Sequence, residues 1–401
     1  MKKKTVIPLL AGLTLAFALS PAMAQKKYDP GASDTEIRFG QTMPYSGPAS
    51  AYGTIGKVML AYFKKTNEEG GVNGRKLVLN SVDDGYSPPR TVEATRRLVE
   101  QDESLFIYGS VGTAPNTAVH RYLNAKKVPQ LLVTTGAAKW NDPKAFPWTI
   151  GGLPDYVTEG KIYAQHILQT KPNAKIALLH QNDDFGKDFL SGIKQVLGDK
   201  VSMIVANASY EATDPTIDSQ MVGLKASGAD VFINITTPKF AAQAIRKAAE
   251  MDWKPTHYLV QVSSSVGSVL KPAGLDKSTG IYTIIYLKEP QDKQWANDAG
   301  LQRYIGFMKK YYPEGDVNDS LNSQAYNSAQ TLVQVLKQSG DELTRENIMR
   351  QAANLKGVVT DLQLPGITVN TSPSDFELFD KLQLVRFDGM QWVRTGGLVT
   401  K

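Results

Sequence analysis

Small residues and hydroxyl groups gather in loops that follow predicted strands. The loop at 41–48 reads QTMPYSGP, the loop at 109–116 reads GSVGTAPN and opens a predicted helix, and 134–137 reads TTGA. Open parallel sheets bind ligands at the carboxyl ends of their strands, and a helix N-terminus offers free N–H donors and partial positive charge. These loops therefore suit a carboxylate. Capping the helix is the ordinary role of a residue such as Thr113, and a capping hydroxyl can also contact a ligand.

Motifs for enzymatic chemistry are missing from the sequence. It has no phosphate-binding G-x-x-x-x-G-K-[ST] loop and no G-x-S-x-G nucleophile elbow. Two S-x-x-K matches, at 191–194 and 268–271, lack the S-D-N and K-T-G elements that accompany them in penicillin-recognising enzymes. The four His residues have no metal-ligand spacing, and the adjacent carboxylates at 83–84 and 183–184 point to opposite faces of a strand. We therefore predict no catalytic residue, no metal site and no cofactor.

Short apolar segments alternate with amphipathic ones along most of the chain, which predicts parallel sheets covered by helices on both faces. A first series of strands is predicted at Glu36–Met43, Lys76–Asp83, 105–109 and 130–135, with helices near 52–70, 89–102 and 114–126. A second series is predicted at 175–180, 201–206, Val231–Ile235 and 257–262, with helices near 156–170, 185–197, 215–227 and 238–251.

The last part of the chain breaks this alternation. A strand at 280–287 precedes helices near 300–312, 322–339 and 344–354, and a hairpin follows at 378–387 and 390–393, around Asp388-Gly389. We expect the late helices to complete a first lobe and the hairpin to complete a second. The chain would then cross between the lobes three times. We predict lobe 1 from 25–155 and 285–378, and lobe 2 from 156–284 and 379–401.

The N-terminus has the composition of a secretory signal peptide at 1–24. Lys2–Lys4 precede an apolar run shorter than the roughly 20 residues that span a membrane, and Ala22-Met23-Ala24 is a cleavage signal, so the mature chain begins at Gln25. The net charge of +6 falls to +3 without the three leader lysines, too little and too scattered for nucleic-acid binding. The absence of Cys excludes disulfides, thiolate metal sites and a lipid anchor. We expect a periplasmic protein.

Five segments together make the chain resemble the leucine/isoleucine/valine-binding family of periplasmic solute-binding proteins. They are MPYSGP at 43–48, AYG at 51–53, NEEGGVNG at 67–74, DDGYSPP at 83–89 and NDDFGKD at 182–188, and the likeness covers essentially the whole mature chain. The resemblance implies the type I fold, an α/β architecture of two doubly wound parallel-sheet lobes joined by three hinge crossovers. It also implies a small-molecule carboxylate ligand, ABC permease subunits as partners, and a monomer.

The resemblance also implies which residues contact the ligand. In amino-acid-binding members, a set of residues holds the ligand carboxylate. The corresponding positions here are Ser110, Thr113, Thr134, Thr135, Gly136 and Ala137. The enclosing aromatic residues match Tyr52, Phe185 and Tyr326, and Tyr86 replaces a half-cystine whose partner position is Gly112. Thr237 and Ser263 on the second lobe complete the predicted set.

Ser263 is the departure that bears on ligand identity. Amino-acid binders carry a Glu at this position, which pairs with the ligand ammonium, whereas 262–267 reads VSSSVG here. A buried ammonium without its acid costs about 2–5 kcal/mol. The sequence therefore favours an aromatic acid such as a hydroxybenzoate or phenylpropenoid. Three alternatives stay open: an amino acid paired with Glu211, Asp183 or Asp184; a ligand sensor that reports to a membrane receptor; and an enzyme.

Overall fold

A computed structural model of the protein describes residues 1–2 and 27–401. The predicted cleavage site between Ala24 and Gln25, and the apolar run before it, lie outside the described residues. Among the helices that are described, none combines the length and the hydrophobicity needed to cross a bilayer.

Helices and strands alternate through most of the described chain. The strands are β1 (Lys27–Tyr28), β2 (Glu36–Met43), β3 (Lys76–Asp83), β4 (Ile107–Tyr108), β5 (Gln130–Val133), β6 (Thr149–Gly151), β7 (Ile176–Gln181), β8 (Ile204–Tyr210), β9 (Val231–Ile235), β10 (Thr256–Leu259), β11 (Tyr282–Ile285), β12 (Glu342–Leu343), β13 (Lys381–Phe387) and β14 (Trp392–Thr400). The helices are α1 (Gly53–Glu68), α2 (Pro88–Glu100), α3 (Thr113–Ala125), α4 (Tyr156–Thr170), α5 (Asp184–Leu197), α6 (Asp218–Ala226), α7 (Pro238–Glu250), α8 (Lys271–Ala273), α9 (Leu275–Ser278), α10 (Ala299–Tyr311), α11 (Ser320–Ser339) and α12 (Arg345–Ala352).

Two sheets organise the molecule. The first has five parallel strands in the order β3-β2-β4-β5-β6, and the second has seven in the order β14-β13-β11-β10-β9-β7-β8. Every residue of β7 and β9 is buried, which requires helices on both faces of the sheet. The chain passes between the sheets three times, after β6, after β11 and before β13. The predicted α/β fold class, two doubly wound lobes with three crossovers, is confirmed, while the residue limits of the lobes stay a prediction.

The second sheet departs from the predicted strands at its edges. The segment 198–203, part of which was predicted as strand, forms a 3-10 helix, so β8 begins only at Ile204. The hairpin pairs antiparallel to β11, and its second strand runs on to Thr400 although it contains Gly396 and Gly397. Backbone hydrogen bonds to the neighbouring strand β13 hold this glycine-containing segment extended. Such pairing cannot be predicted from the local composition of the segment.

Helices α4 and α5 pack with their backbones in direct contact. A Cβ added at Gly160 would lie 2.6 Å from the Phe189 carbonyl oxygen, and one added at Gly192 would overlap the Val157 carbonyl oxygen. Helix α4 starts at the first crossover, where the Asp155 carboxylate accepts the Val157 and Thr158 N–H groups. This close packing fixes the middle of α5 relative to that crossover.

We predict that Gly192→Ala destabilises the protein because the added methyl group must push α5 away from α4. Overpacking of this kind costs about 1–3 kcal/mol, which exceeds the helix-propensity gain of about 1 kcal/mol. Gly223→Ala in α6 is the matched control, since no atom lies within 4 Å of its added Cβ. Chemical denaturation should show a loss for Gly192→Ala and a small gain for Gly223→Ala. Equal effects of the two substitutions would contradict the packing argument.

Candidate ligand-binding pocket

A buried pocket lies where strand ends of the two sheets face each other. It is narrow, and its volume of about 350 Å³ includes space that is open to solvent. None of the lining side chains carries a formal charge at neutral pH. The lining residues are Tyr52, Ile55, Tyr86, Val111, Gly112, Thr113, Thr134, Thr135, Leu153, Tyr156, Phe185, Thr237, Val262 and Gln324.

One corner of the pocket is built from the start of α3 and the end of β5. The hydroxyls of Thr113 and Thr135 lie 2.5 Å apart, and the Thr135 hydroxyl donates to the Tyr156 hydroxyl at 3.4 Å. Thr134 also lines the pocket, but its hydroxyl donates to the Gly109 carbonyl at 3.0 Å. Helix α3 begins at Thr113, so its partial positive charge faces this corner. The corner can therefore hold an anionic oxygen without a cation.

Tyr86 closes the pocket beside this corner in an unusual backbone conformation. Its φ of 60° lies in the left-handed region, which costs a non-glycine residue about 1–3 kcal/mol. The Asp84 carboxylate stabilises the turn by accepting the Tyr86 N–H at 2.9 Å and the Thr91 hydroxyl at 2.8 Å. A Cβ on Gly112, whose φ is 99°, would overlap the Tyr86 ring. The predicted pairing of a large phenol with a glycine is thus realised as direct contact.

The wall formed by the second sheet carries a hydrogen-bonded network. The Tyr210 hydroxyl accepts the Thr237 N–H at 2.9 Å and lies 3.3 Å from the Thr237 hydroxyl. It also donates to the side chain of Gln181, whose amide reaches the Tyr86 hydroxyl at 3.4 Å across the cleft. Burial raises the pKa of Tyr86 and of Tyr210 above the usual value. These phenols are therefore neutral hydrogen-bonding groups.

Tyr52 spans the cleft from the segment that precedes α1. Burial raises the pKa of its hydroxyl well above the usual value, and the nearby Ser263 side chain opposes this rise. Ser263 is fully buried, and its own hydroxyl donates to the Thr236 carbonyl at 2.5 Å. Ser263 was predicted to contact the ligand, but its hydroxyl donates to backbone and its neighbour Val262 lines the pocket.

The structure brings seven of the twelve predicted residues into the pocket lining: Tyr52, Tyr86, Thr113, Thr134, Thr135, Phe185 and Thr237. Ser263, described above, and three others lie in the packing around it. The Ser110 hydroxyl accepts the Thr42 N–H at 3.0 Å and holds the end of β2. Gly136 packs against the Pro154 carbonyl oxygen, and Ala137 is fully buried beside it.

Tyr326 needs a larger correction. Its hydroxyl donates to the Asp361 carboxylate at 2.7 Å, and its ring packs on Tyr62 and Phe307. Residue Gln324 of the same helix lines the pocket, and two residues along an α-helix correspond to a rotation of about 200°. Tyr326 therefore faces the opposite side of α11.

Tyr156 is a pocket aromatic that sequence reasoning missed. It lines the pocket from the first turn of α4, and its ring centroid lies 4.8 Å from that of Phe185. The preceding Asp155, a side chain suited to an N-cap, was the available signal for a helix start at this point. Gln181 and Tyr210 end their strands, so strand-end position alone could have indicated them.

The three acids considered for a ligand ammonium lie outside the pocket lining. Glu211 is exposed and accepts the Asn182 amide, and Asp184 pairs with Lys139. Asp183 lies nearer, where its carboxylate accepts the Gln181 amide at 2.8 Å and the Phe185 N–H at 3.1 Å. Burial raises its pKa. In the described chain no group of three His, Cys, Asp or Glu side chains is arranged to hold a metal ion.

A clasp outside the pocket joins the segment after β5 to the first turns of α5. Lys139 pairs with Asp184 at 2.5 Å, and the Ala138 N–H donates to the Asp188 carboxylate at 2.9 Å. Burial raises the pKa of Asp188 to about 6. Because β5 belongs to the first sheet and α5 follows β7 of the second, these contacts exist only when the two lobes are close together.

Comparison with known proteins agrees with this architecture. The family model described as periplasmic binding protein matches residues 36–391, so the chain belongs to the periplasmic binding protein family. Leu/Ile/Val-binding protein homolog 7 of Brucella abortus (strain 2308) is 23% identical over 310 residues, which are 74% of this chain and 75% of that protein.

Two solved structures have the same fold. A branched-chain amino acid ABC transporter protein from Thermus thermophilus with bound valine superposes with a TM-score of 0.81 and 16% identity, covering 92% of this chain and 97% of that one. A solute-binding protein from R. palustris in complex with benzoate gives a TM-score of 0.76 and 17% identity, covering 91% and 98%. These two structures therefore share the fold of this periplasmic binding protein.

We predict that Lys139→Met opens the ligand-free protein. Exposed ion pairs contribute about 0.2–1 kcal/mol, so losing this one should change the ratio of open to closed forms about 1.4- to 5-fold. Small-angle scattering should show a larger radius of gyration. The control is Lys187→Met, because Lys187 lies 3.9 Å from Asp184 within the same helix and joins no second lobe. Indistinguishable scattering from the two variants would refute the clasp.

Proposed function

We propose that this periplasmic binding protein captures a small aromatic carboxylate and delivers it to the permease subunits of an ABC importer. The observation that carries the proposal is the chemistry of the pocket lining, where hydroxyls gather at the start of a helix, aromatic rings form the walls, and no side chain is charged. The protein would act as a monomer in the periplasm. The relatives are solute-binding proteins, and we propose no catalytic step.

The corner formed by Thr113 and Thr135 supports a carboxylate end. The N-terminus of α3 offers donors to an anion, and the two hydroxyls would donate to it by turning away from their present partners. Hydrogen bonds to a charged group contribute about 1.5–3 kcal/mol each. A neighbouring acid would oppose such binding, and none lines the pocket. The same corner would orient the rest of the ligand toward Phe185 and Tyr156.

The other end of the pocket disfavours a ligand ammonium. Asp183 is the nearest of the acids considered, and Gln181 and the Phe185 N–H already occupy its oxygens. An ammonium in the pocket would thus be desolvated without a charged partner, unless Asp183 rearranged toward it. That rearrangement is what keeps amino-acid binding as the alternative, and leucine is its natural probe.

The walls suit a single ring. Phe185 and Tyr156 already pack at 4.8 Å between centroids, and a ligand ring against such side chains gains about 0.5–1.5 kcal/mol beyond area burial. The free space is narrow, so a ring can enter only when the lobes separate and can be enclosed only when they close again. The three crossovers provide the hinges for that motion.

We predict that 4-hydroxybenzoate binds more tightly than leucine. The aromatic acid has no ammonium to desolvate, whereas leucine loses about 2–5 kcal/mol, a factor of roughly 30 or more in Kd. Paired calorimetric titrations under the same conditions measure the difference. Tighter binding of leucine would overturn the aromatic-acid assignment and favour amino-acid transport.

We predict that Thr113→Val weakens 4-hydroxybenzoate binding by about 1–3 kcal/mol, since it keeps the side-chain shape and removes one hydroxyl. Thr117→Val is the matched control on the same helix, because its exposed side chain donates only to the Thr113 carbonyl. Calorimetry should show a loss of affinity for the first variant alone. Unchanged affinity of Thr113→Val would remove this hydroxyl from the carboxylate site.

A further inference from the structure

A groove crosses the cleft just outside the pocket. Its walls continue those of the pocket, because Ala51 precedes Tyr52 on one lobe and Pro238 follows Thr237 on the other. Its lining contains two cations and no acid. The lining residues are Gly47, Pro48, Ser50, Ala51, Pro238, Lys239, Ala242, Gln243, Arg246, Ser268 and Pro272.

The two cations of the groove are bonded to backbone rather than to acids. The Lys239 ammonium donates to the Asp214 carbonyl at 3.1 Å, and the Arg246 guanidinium donates to the Pro272 carbonyl at 2.9 Å. Both side chains are half-buried on α7, whose N-terminus also opens into the groove. Their charges are therefore held in place and add to the positive end of the helix.

Nearby carboxylates are occupied by other partners. The Asp214 carboxylate accepts the Glu211 N–H, and Asp316 lies 3.7 Å from the Lys271 ammonium. Asp319 accepts the Ser265 hydroxyl at 2.8 Å and the Leu321 N–H at 3.0 Å. These three acids lie outside the groove lining, in which Lys239 and Arg246 are the charged groups.

We infer that Lys239 and Arg246 form an outer anion site that captures the carboxylate of the ligand before it enters the pocket. The inference rests on the proposed function. Because the pocket lining has no charge, the positive charge that would attract an anionic ligand lies at the mouth of the cleft. Fixed charges at a cleft raise the association rate of an oppositely charged ligand and lose this effect as salt screens them. The site should therefore act on the rate of association and leave dissociation from the closed pocket nearly unchanged.

The test is stopped-flow binding of 4-hydroxybenzoate to the full-length protein at about 10 mM and about 500 mM salt. The double variant Lys239→Gln/Arg246→Gln should associate about three- to tenfold more slowly at low salt, with the difference lost at high salt. The control Lys194→Gln/Lys200→Gln removes the same charge from exposed positions at and beyond the end of α5. Helix α5 extends from the cleft for about 20 Å, so these charges lie far from the mouth.

The outcomes separate the two proposals. A slower, salt-dependent association of the groove variant alone supports the outer site. An unchanged association rate with intact binding overturns the outer site and leaves the proposed function standing, and so does an equal slowing of both double variants, which indicates net charge alone. Failure of the unmodified protein to bind 4-hydroxybenzoate at all overturns the proposed function together with this inference. Circular dichroism confirms that each variant is folded.

Discussion

The fit of the Tyr86 ring against Gly112 is the contact on which the ligand site depends. Gly112 has no side chain and a φ of 99°, so the chain can turn from β4 into α3 with the phenol of Tyr86 directly against its backbone. Tyr86 in turn holds a left-handed conformation that the Asp84 carboxylate stabilises. The turn places Thr113 and the start of α3 at the pocket corner. A side chain at position 112 would displace Tyr86 and with it the bridge through Gln181 to the second lobe.

Local sequence was sufficient for the features that depend on local order. The alternation of strands and helices predicted the two sheets, and strand-end position indicated Thr113 and Thr135, which the structure places in the pocket lining. Tyr326 could not be placed in the same way, since two residues along α11 separate the pocket face from the core face. Ser263 was predicted from the family resemblance, but the partner of its hydroxyl is the Thr236 carbonyl, which only the folded cleft brings within reach.

Charge is distributed by depth in this cleft. The innermost space is lined by hydroxyls and rings, the clasp of Lys139 and Asp184 lies outside it, and Lys239 and Arg246 lie at the mouth. A charge in the pocket lining would be desolvated at every closure, which costs free energy unless a partner compensates. Charges at the rim keep part of their hydration and still act over the Debye length of about 10 Å. Under the proposed function, this order would let the charges at the mouth attract an anion while the closed pocket buries no charged side chain.

The narrow, uncharged pocket also explains why ligand binding and closure of the two lobes must be coupled. The pocket is narrow in this closed form. Tyr52, Tyr86 and Phe185 line it together, so their side chains already pack closely without a ligand. The proposed aromatic acid would compete with those contacts and would stabilise closure only by what it adds, namely its hydrogen bonds at Thr113 and Thr135 and its buried apolar area. A ligand changes the equilibrium between open and closed forms only by its difference in affinity for the two. The pocket therefore selects a molecule that replaces the side-chain contacts it displaces. A molecule whose charge finds no partner in the pocket does not replace them.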